Sequence, residues 1–253
     1  MQRKIKNLIG FEIGATDGEI GEVKEFYFDD FTWTIRYLIV ETGNWLNNRK
    51  VLIATEALLT TDWENKVFLV NLTKEKIKNS PNIDTELPVS RQHEIEMYQH
   101  YPWTNYWGGG VLGGGMGVSG MMTGTYEPFE EAVRKNKSQD TKDADNDLHL
   151  RSTHKVTGYT IHANDGEIGD VEDFTVDDIT WKIEFLEVDT GDWFPGKKVL
   201  ISPKLVKEIK WESSEVVLNI SVEKVKNSPE YEPTEEISVS YTANLQNYYG
   251  NFI

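Results

Sequence analysis

The sequence predicts an all-β protein, two small antiparallel β-barrels in tandem with short helices and a Gly-rich linker. Three observations carry this. The pentapeptide Asp17-Gly18-Glu19-Ile20-Gly21 returns as Asp165-Gly166-Glu167-Ile168-Gly169, 148 residues later. At that one offset Gly10 to Pro81 lies on Gly158 to Pro229 without a gap, and about 33 of roughly 72 positions are identical, so a domain is duplicated. Within each copy, short β-prone runs alternate with turn residues at close spacing, the pattern of a small barrel.

The elements follow in order. Leu8 to Ala15 reads as a first strand. Asp17-Gly18 reads as a hairpin turn, because Gly accepts backbone angles closed to other residues. The strand from Ile20 to Phe28 changes phase: Gly21 and Val23 share one face, Phe26 and Phe28 the other. Val171 and Phe174 repeat the change. A period-two strand does this only with an extra residue, so bulges are expected at Lys24-Glu25 and Glu172-Asp173. Asp29 to Trp33, matched by Asp177 to Trp181, is a turn, and Ile35 to Val40 is a third strand. Thr42-Gly43-Asn44-Trp45 is a loop, Lys50 to Ile53 a strand, and Ala54 to Leu59 a helical turn. In the strand from Val67 to Leu72, Phe68, Val70 and Leu72 stay apolar in both copies (Val216, Leu218 and Ile220), which marks the core face. Thr73 caps a short amphipathic helix that Pro81 stops.

With Gly10, Asp17 to Gly21, Val23, Phe26 and Asp29 in place, and Gly158, Asp165 to Gly169, Val171, Phe174 and Asp177 behind them, each copy resembles a PRC-barrel domain. That module is similar to the cytoplasmic domain of the photosynthetic reaction-centre H subunit and to the C-terminal barrel of a ribosome-maturation factor. The tandem pair, with its matched Thr-Gly-Asn-Trp and Thr-Gly-Asp-Trp loops, looks like a bacterial two-barrel subgroup. The resemblance implies the fold. Its shared motif is turn and core chemistry, so it implies no catalytic residue.

The expected boundaries are a first barrel over 1–87, a short helical tail over 88–100 and a Gly-rich then acidic linker over 101–150. A second barrel covers 151–236 and an aromatic C-terminal tail 237–253. Ser90 caps the helical tail, where His93, Glu96 and His100 share a face and could offer metal ligands; the second copy's tail lacks histidine. From Tyr101 to Tyr126 no residue is charged, and Gly109/Gly113 and Gly110/Gly114 have the spacing of a membrane glycine zipper. The run holds too few large aliphatics for insertion, so it reads as a linker with docking aromatics. Asp143, Asp145 and Asp147 resemble the start of a calcium loop. Leu148 and His154 stand where that loop needs Gly and Glu, so calcium is not expected.

Composition limits the function classes. The chain has 253 residues, 38% hydrophobic and 27% charged, and no cysteine, so no disulfide or thiolate chemistry is available. A formal charge of −16 disfavours nucleic acid and anionic membranes, which select for Lys and Arg. No apolar run follows the basic N-terminus, so a signal peptide is not expected and a cytoplasmic location is. Carboxylates are too abundant to mark an acid–base pair, and none of the five histidines (93, 100, 149, 154 and 162) recurs in the other copy. The reading is therefore a non-enzyme with no cofactor and no bound metal: an interaction or scaffold module with protein partners. Two alternatives remain, an accessory subunit of a membrane electron-transfer complex and a ribosome- or RNA-linked factor acting through protein partners. The barrels are free to pack on each other, and a homo-oligomer is compatible with the sequence. Candidate interaction residues are Trp33, Trp45, Trp181, Trp193, Trp103 and Trp107, since Trp is favoured in interface hot spots. The alternative for the barrel tryptophans is that they plug barrel ends or the joint between barrels. Asp17, Gly18, Gly21, Asp165, Gly166 and Gly169 are assigned to turn structure.

Overall fold

A bent strand of 12 residues is the spine of each repeat, β3 (Gly18–Asp29) in the first and β10 (Gly166–Asp177) in the second. The computed structural model describes residues 1–81, 96, 97, 99–101, 150–191, 197–232 and 237–250. Met1–Lys78 and His149–Ile253 belong to one compact unit and Asn79–Leu148 to another.

In the first repeat β1 (Gln2–Lys4), α1 (Ile5–Leu8) and β2 (Glu12–Ala15) precede β3. After it come β4 (Thr34–Glu41), β5 (Lys50–Ala54), β6 (Leu58–Asp62), β7 (Val67–Val70) and α2 (Lys74–Lys78). The second repeat has β8 (Leu150–Ser152), α3 (Thr153–Val156), β9 (Thr160–Ala163), β10, β11 (Ile183–Asp189) and β12 (Lys198–Ile201). It continues with β13 (Val206–Lys210), β14 (Glu215–Leu218) and α4 (Val222–Lys226), and α5 (Val239–Tyr249) follows. The sheet orders are β5-β4-β3-β2-β7-β6 and β12-β11-β10-β9-β14-β13, each completed to seven strands by one more. Pairing along each order is antiparallel except for one parallel pair, β2 with β7 and β9 with β14.

The seventh strand of each sheet comes from the other repeat. β8 pairs with β3, Tyr27 opposite Ser152 and Asp29 opposite Leu150. β1 pairs with β10, Lys4 opposite Thr175 and Gln2 opposite Asp177. The bulges explain why there is room. The ladder slips between Val23 and Glu25 and between Val171 and Asp173, where the phase change predicted it. The far half of each spine strand thus bends away from β2 or β9. That half would leave backbone N–H and C=O groups bare on one edge, and the short strand from the other repeat covers them.

The core lies inside each rolled sheet. Val23, Phe26, Phe28, Phe68 and Val70 are fully or almost fully buried, as are Val171, Phe174, Val176, Val216 and Leu218. The face marked by Phe68, Val70 and Leu72 is the core face. Two local expectations change. The strand read from Leu8 begins at Glu12, because Ile5–Leu8 closes a helical turn before Gly10 turns the chain at φ +82°. Ala54 to Leu59 is a 3-10 turn at Thr55–Ala57 that passes into β6, a half-exposed edge strand whose Leu-Leu-Thr-Thr-Asp sequence shows little alternation. Of the expected helical tail, Glu96, Met97, Gln99 and His100 are helical, while Ser90 and His93 lie outside the described residues. So do the glycine run and the Asp143 to Asp147 segment. The C-terminal aromatics form α5, which buries Leu245 and Tyr249, and Ser238 caps it by accepting from the Tyr241 N–H.

Candidate interaction site

The repeated pentapeptide fixes the near end of each barrel. Ala15 pairs with Gly18, so Thr16 and Asp17 form the hairpin tip. The Asp17 carboxylate then accepts a 2.8 Å hydrogen bond from the Lys74 N–H, capping α2, and Asp165 does the same for Val222 at 2.7 Å. Gly21 is required by close approach. A Cβ there would stand 1.8 Å from the Glu41 carbonyl oxygen, and one at Gly169 would stand 2.0 Å from that of Asp189. Trp45 sits beside this hairpin. Its indole Nε1 donates to the Ile20 carbonyl at 2.5 Å, the Lys74 ammonium lies 4.9 Å above its ring, and the ring is about one-third exposed.

At the other end, the two Asp-to-Trp turns meet. Asp29 accepts from the N–H groups of Phe31 and Thr32 at 2.9 and 3.0 Å, and Asp177 from Ile179 and Thr180 at 3.2 and 2.7 Å. Burial opposes ionisation of Asp177, but the N–H and hydroxyl of Thr180 and the N–H of Ile179 outweigh it, and its carboxyl titrates below the ordinary range. The turn closes through Trp33 N–H to the Asp29 carbonyl and Trp181 N–H to the Asp177 carbonyl. Both tryptophans are forced into the left-handed region, at φ +55° and +58°. The result is a division of labour within each turn. The indole turns inward and the residue two positions earlier points out: Phe31 is 83% exposed and Ile179 80%.

Trp33 and Trp181 are buried, and they form the joint between the repeats. Ile35 N–H donates to the Trp181 carbonyl at 2.8 Å, and Ile183 N–H to that of Trp33 at 2.7 Å. Phe28 lies 5.6 Å from Phe174 across the boundary. Ion pairs repeat the symmetry: Arg151 holds Asp30 at 2.7 Å and Arg3 holds Asp178 at 3.0 Å. Of the six candidate tryptophans, the structure therefore brings Trp33 and Trp181 together and places Trp45 apart on the hairpin. Trp103, Trp107 and Trp193 lie outside the described residues.

One cluster escaped the sequence reading. Asp173, Thr175 and Glu187 are buried polar residues on β10 and β11, where the first repeat has Glu25, Tyr27 and Ile39. Burial pushes the Asp173 carboxyl up to about 6, against two N–H donors, Phe174 and Lys6. Lys4 reaches across from the first repeat to Glu187 at 2.7 Å. The available signal was divergence between copies at otherwise core-facing strands.

Residues 1–77 match the family model of the PRC-barrel domain. The first repeat is a PRC-barrel domain. The second repeat has the same strand order, bulge and cross-contacts, so the PRC-barrel arrangement occurs in tandem. No curated protein matches the chain. The family match includes β1, a strand whose hydrogen-bonding partner lies in the second repeat. Among the described residues, no helix is long and apolar enough to cross a membrane.

Proposed function

We propose that this tandem PRC-barrel protein is a non-catalytic scaffold that binds protein partners, and that it binds them through the paired turns at the joint. The PRC-barrel match supports an interaction module. The observation that carries the reading is the exposure of Phe31 and Ile179, equivalent residues held out from two rigid, Asp-stapled turns. A large apolar side chain that is more than three-quarters exposed buries little of its area in the fold. Placed on rigid turns, it offers a pre-organised contact that costs little entropy on binding.

The interlocked repeats suit this role. Main-chain pairing and the buried tryptophans fix the two turns in one geometry, so a partner meets two apolar points at a set spacing. The test is affinity capture followed by mass spectrometry, comparing the natural chain with Phe31→Ser/Ile179→Ser. Both side chains are outside the core, so thermal stability is expected to stay within about 1 kcal/mol. Loss of specific partners at unchanged stability supports the site. An identical partner set rejects it.

A further inference from the structure

We infer that the protein has a binding pocket for a small organic anion, a carboxylate or phosphate ester, formed where the N-terminal segment of the first repeat crosses the second. The cavity is about 620 Å³. Four cations line it, Arg3, Lys4, Lys6 and Lys66, and among the described residues no carboxylate does. In a chain of formal charge −16 such a lining gathers cationic donors in one place, and those donors favour an anion.

The inner wall supplies the second observation. Thr175 is 2% exposed, lines the cavity, and its hydroxyl has no hydrogen-bond partner. A buried hydroxyl left unpaired is costly, and a ligand oxygen accepting from it removes that cost. Three of the cations are already aligned by acids that are not among the lining residues. Arg3 is held by Asp178 and stacks 4.1 Å over Trp63, Lys4 is held by Glu187, and Lys6 lies 3.7 Å from Glu172. These pairs pre-organise the donors, and Lys6 remains half-exposed. Phe11, Trp63 and Ile237 give an apolar side for the rest of the ligand.

The equivalent place in the other repeat keeps part of this chemistry: Arg3 corresponds to Arg151 and Asn7 to Lys155, both over the Trp211 ring. Lys4, Lys6 and Lys66 correspond to Ser152, His154 and Ser214, and Thr175 to Tyr27. The architecture is kept while the three lysines are not, so among the described residues the full set of four cations lies only beside the N-terminal segment. Neither Phe31 nor Ile179 lines the pocket, so its test is independent of the partner reading.

The test is thermal unfolding of the full chain with 10 mM phenyl phosphate, benzoate or inorganic phosphate, each against potassium chloride of equal ionic strength. At least one organic anion is expected to raise Tm by about 3 °C, and inorganic phosphate by less, since it lacks an apolar body. A response to phenyl phosphate alone assigns the phosphate group, and a response to benzoate alone the carboxylate. Lys6→Gln/Lys66→Ser, both exposed and the second copying Ser214, should weaken binding about tenfold in calorimetric titration, and Thr175→Val should weaken it as well. No shift beyond the chloride control with either organic anion, or an equal shift in the double variant, overturns the assignment.

Discussion

Trp181 stacks on Phe26 of the other repeat, ring centroids 6.0 Å apart and planes 24° from parallel. Its edge meets Phe68 at 5.7 Å, so one indole from the second repeat packs against the first repeat's core. Backbone pairing alone would let the repeats slide. The indole in its slot sets their register, and the left-handed turn at Trp181 delivers it there.

Removing that indole should cost about 3–5 kcal/mol, the usual cost of deleting a buried aromatic. The backbone adds a sharper expectation. At φ +58° alanine is strained and glycine is not. Trp181→Gly should therefore be more stable than Trp181→Ala by about 1 kcal/mol, reversing the usual order. Urea unfolding of the two variants measures this. Equal midpoints, or alanine the more stable, would show that the left-handed turn is not retained.

Asp173 makes stability depend on pH. Its folded carboxyl is raised from 3.8 to about 6, so the folded state holds the proton more tightly than the unfolded chain. The stabilising effect is full below about 4 and is lost as pH rises through 6, a difference of roughly 3 kcal/mol at most. Asp173→Asn keeps an acceptor for the Phe174 and Lys6 N–H groups and removes the buried charge. The variant should be more stable than the natural protein at pH 7 and indistinguishable from it at pH 4. Chemical denaturation at the two pH values checks the sign; a variant less stable at pH 7 would contradict it.

Gly21 and Gly10 separate two reasons for glycine. Both have positive φ, but only at Gly21 would a Cβ strike backbone, the Glu41 carbonyl at 1.8 Å, while at Gly10 it meets nothing within 4 Å. Gly10→Ala should cost about 1 kcal/mol from backbone strain alone. Gly21→Ala should cost about 3 kcal/mol or more, because β3 and β4 must separate. Thermal unfolding of the two variants gives the comparison, and similar losses would remove the steric argument.

The legible part of the fold was what repeats or alternates. The bulges could be read because Val23 and Phe26 cannot share a face of a regular strand, and the core face because Phe68 and Val70 stay apolar in both copies. The crossing strands could not be read. Before Gly10 only Arg3 and Arg151 are identical between copies, and three residues carry no period. Their pairing uses main-chain groups, which any non-proline sequence supplies. The tryptophans were visible as turn neighbours, but which way they pointed depended on a left-handed backbone that propensity disfavours for Trp. The buried cluster of Asp173 and Glu187 was hidden because carboxylates are so common in this chain.

Strand exchange is expected to make the covalent connection between repeats dispensable for their association. Made alone, residues 1–81 would leave the Tyr27–Asp29 edge of β3 bare and Trp33 uncovered, and residues 150–250 would leave Thr175–Asp177 and Trp181 so. Each fragment carries the strand and the turn that the other lacks. Co-expressed as two chains, they should purify as a 1:1 complex, while either one alone should not stay monomeric. Light scattering after size exclusion reads the masses. Deleting residues 1–4 from the first chain removes β1 and the Arg3–Asp178 and Lys4–Glu187 pairs, and should weaken the complex at least tenfold. Two stable monomers that ignore each other would show that the crossing strands are not what holds the repeats together.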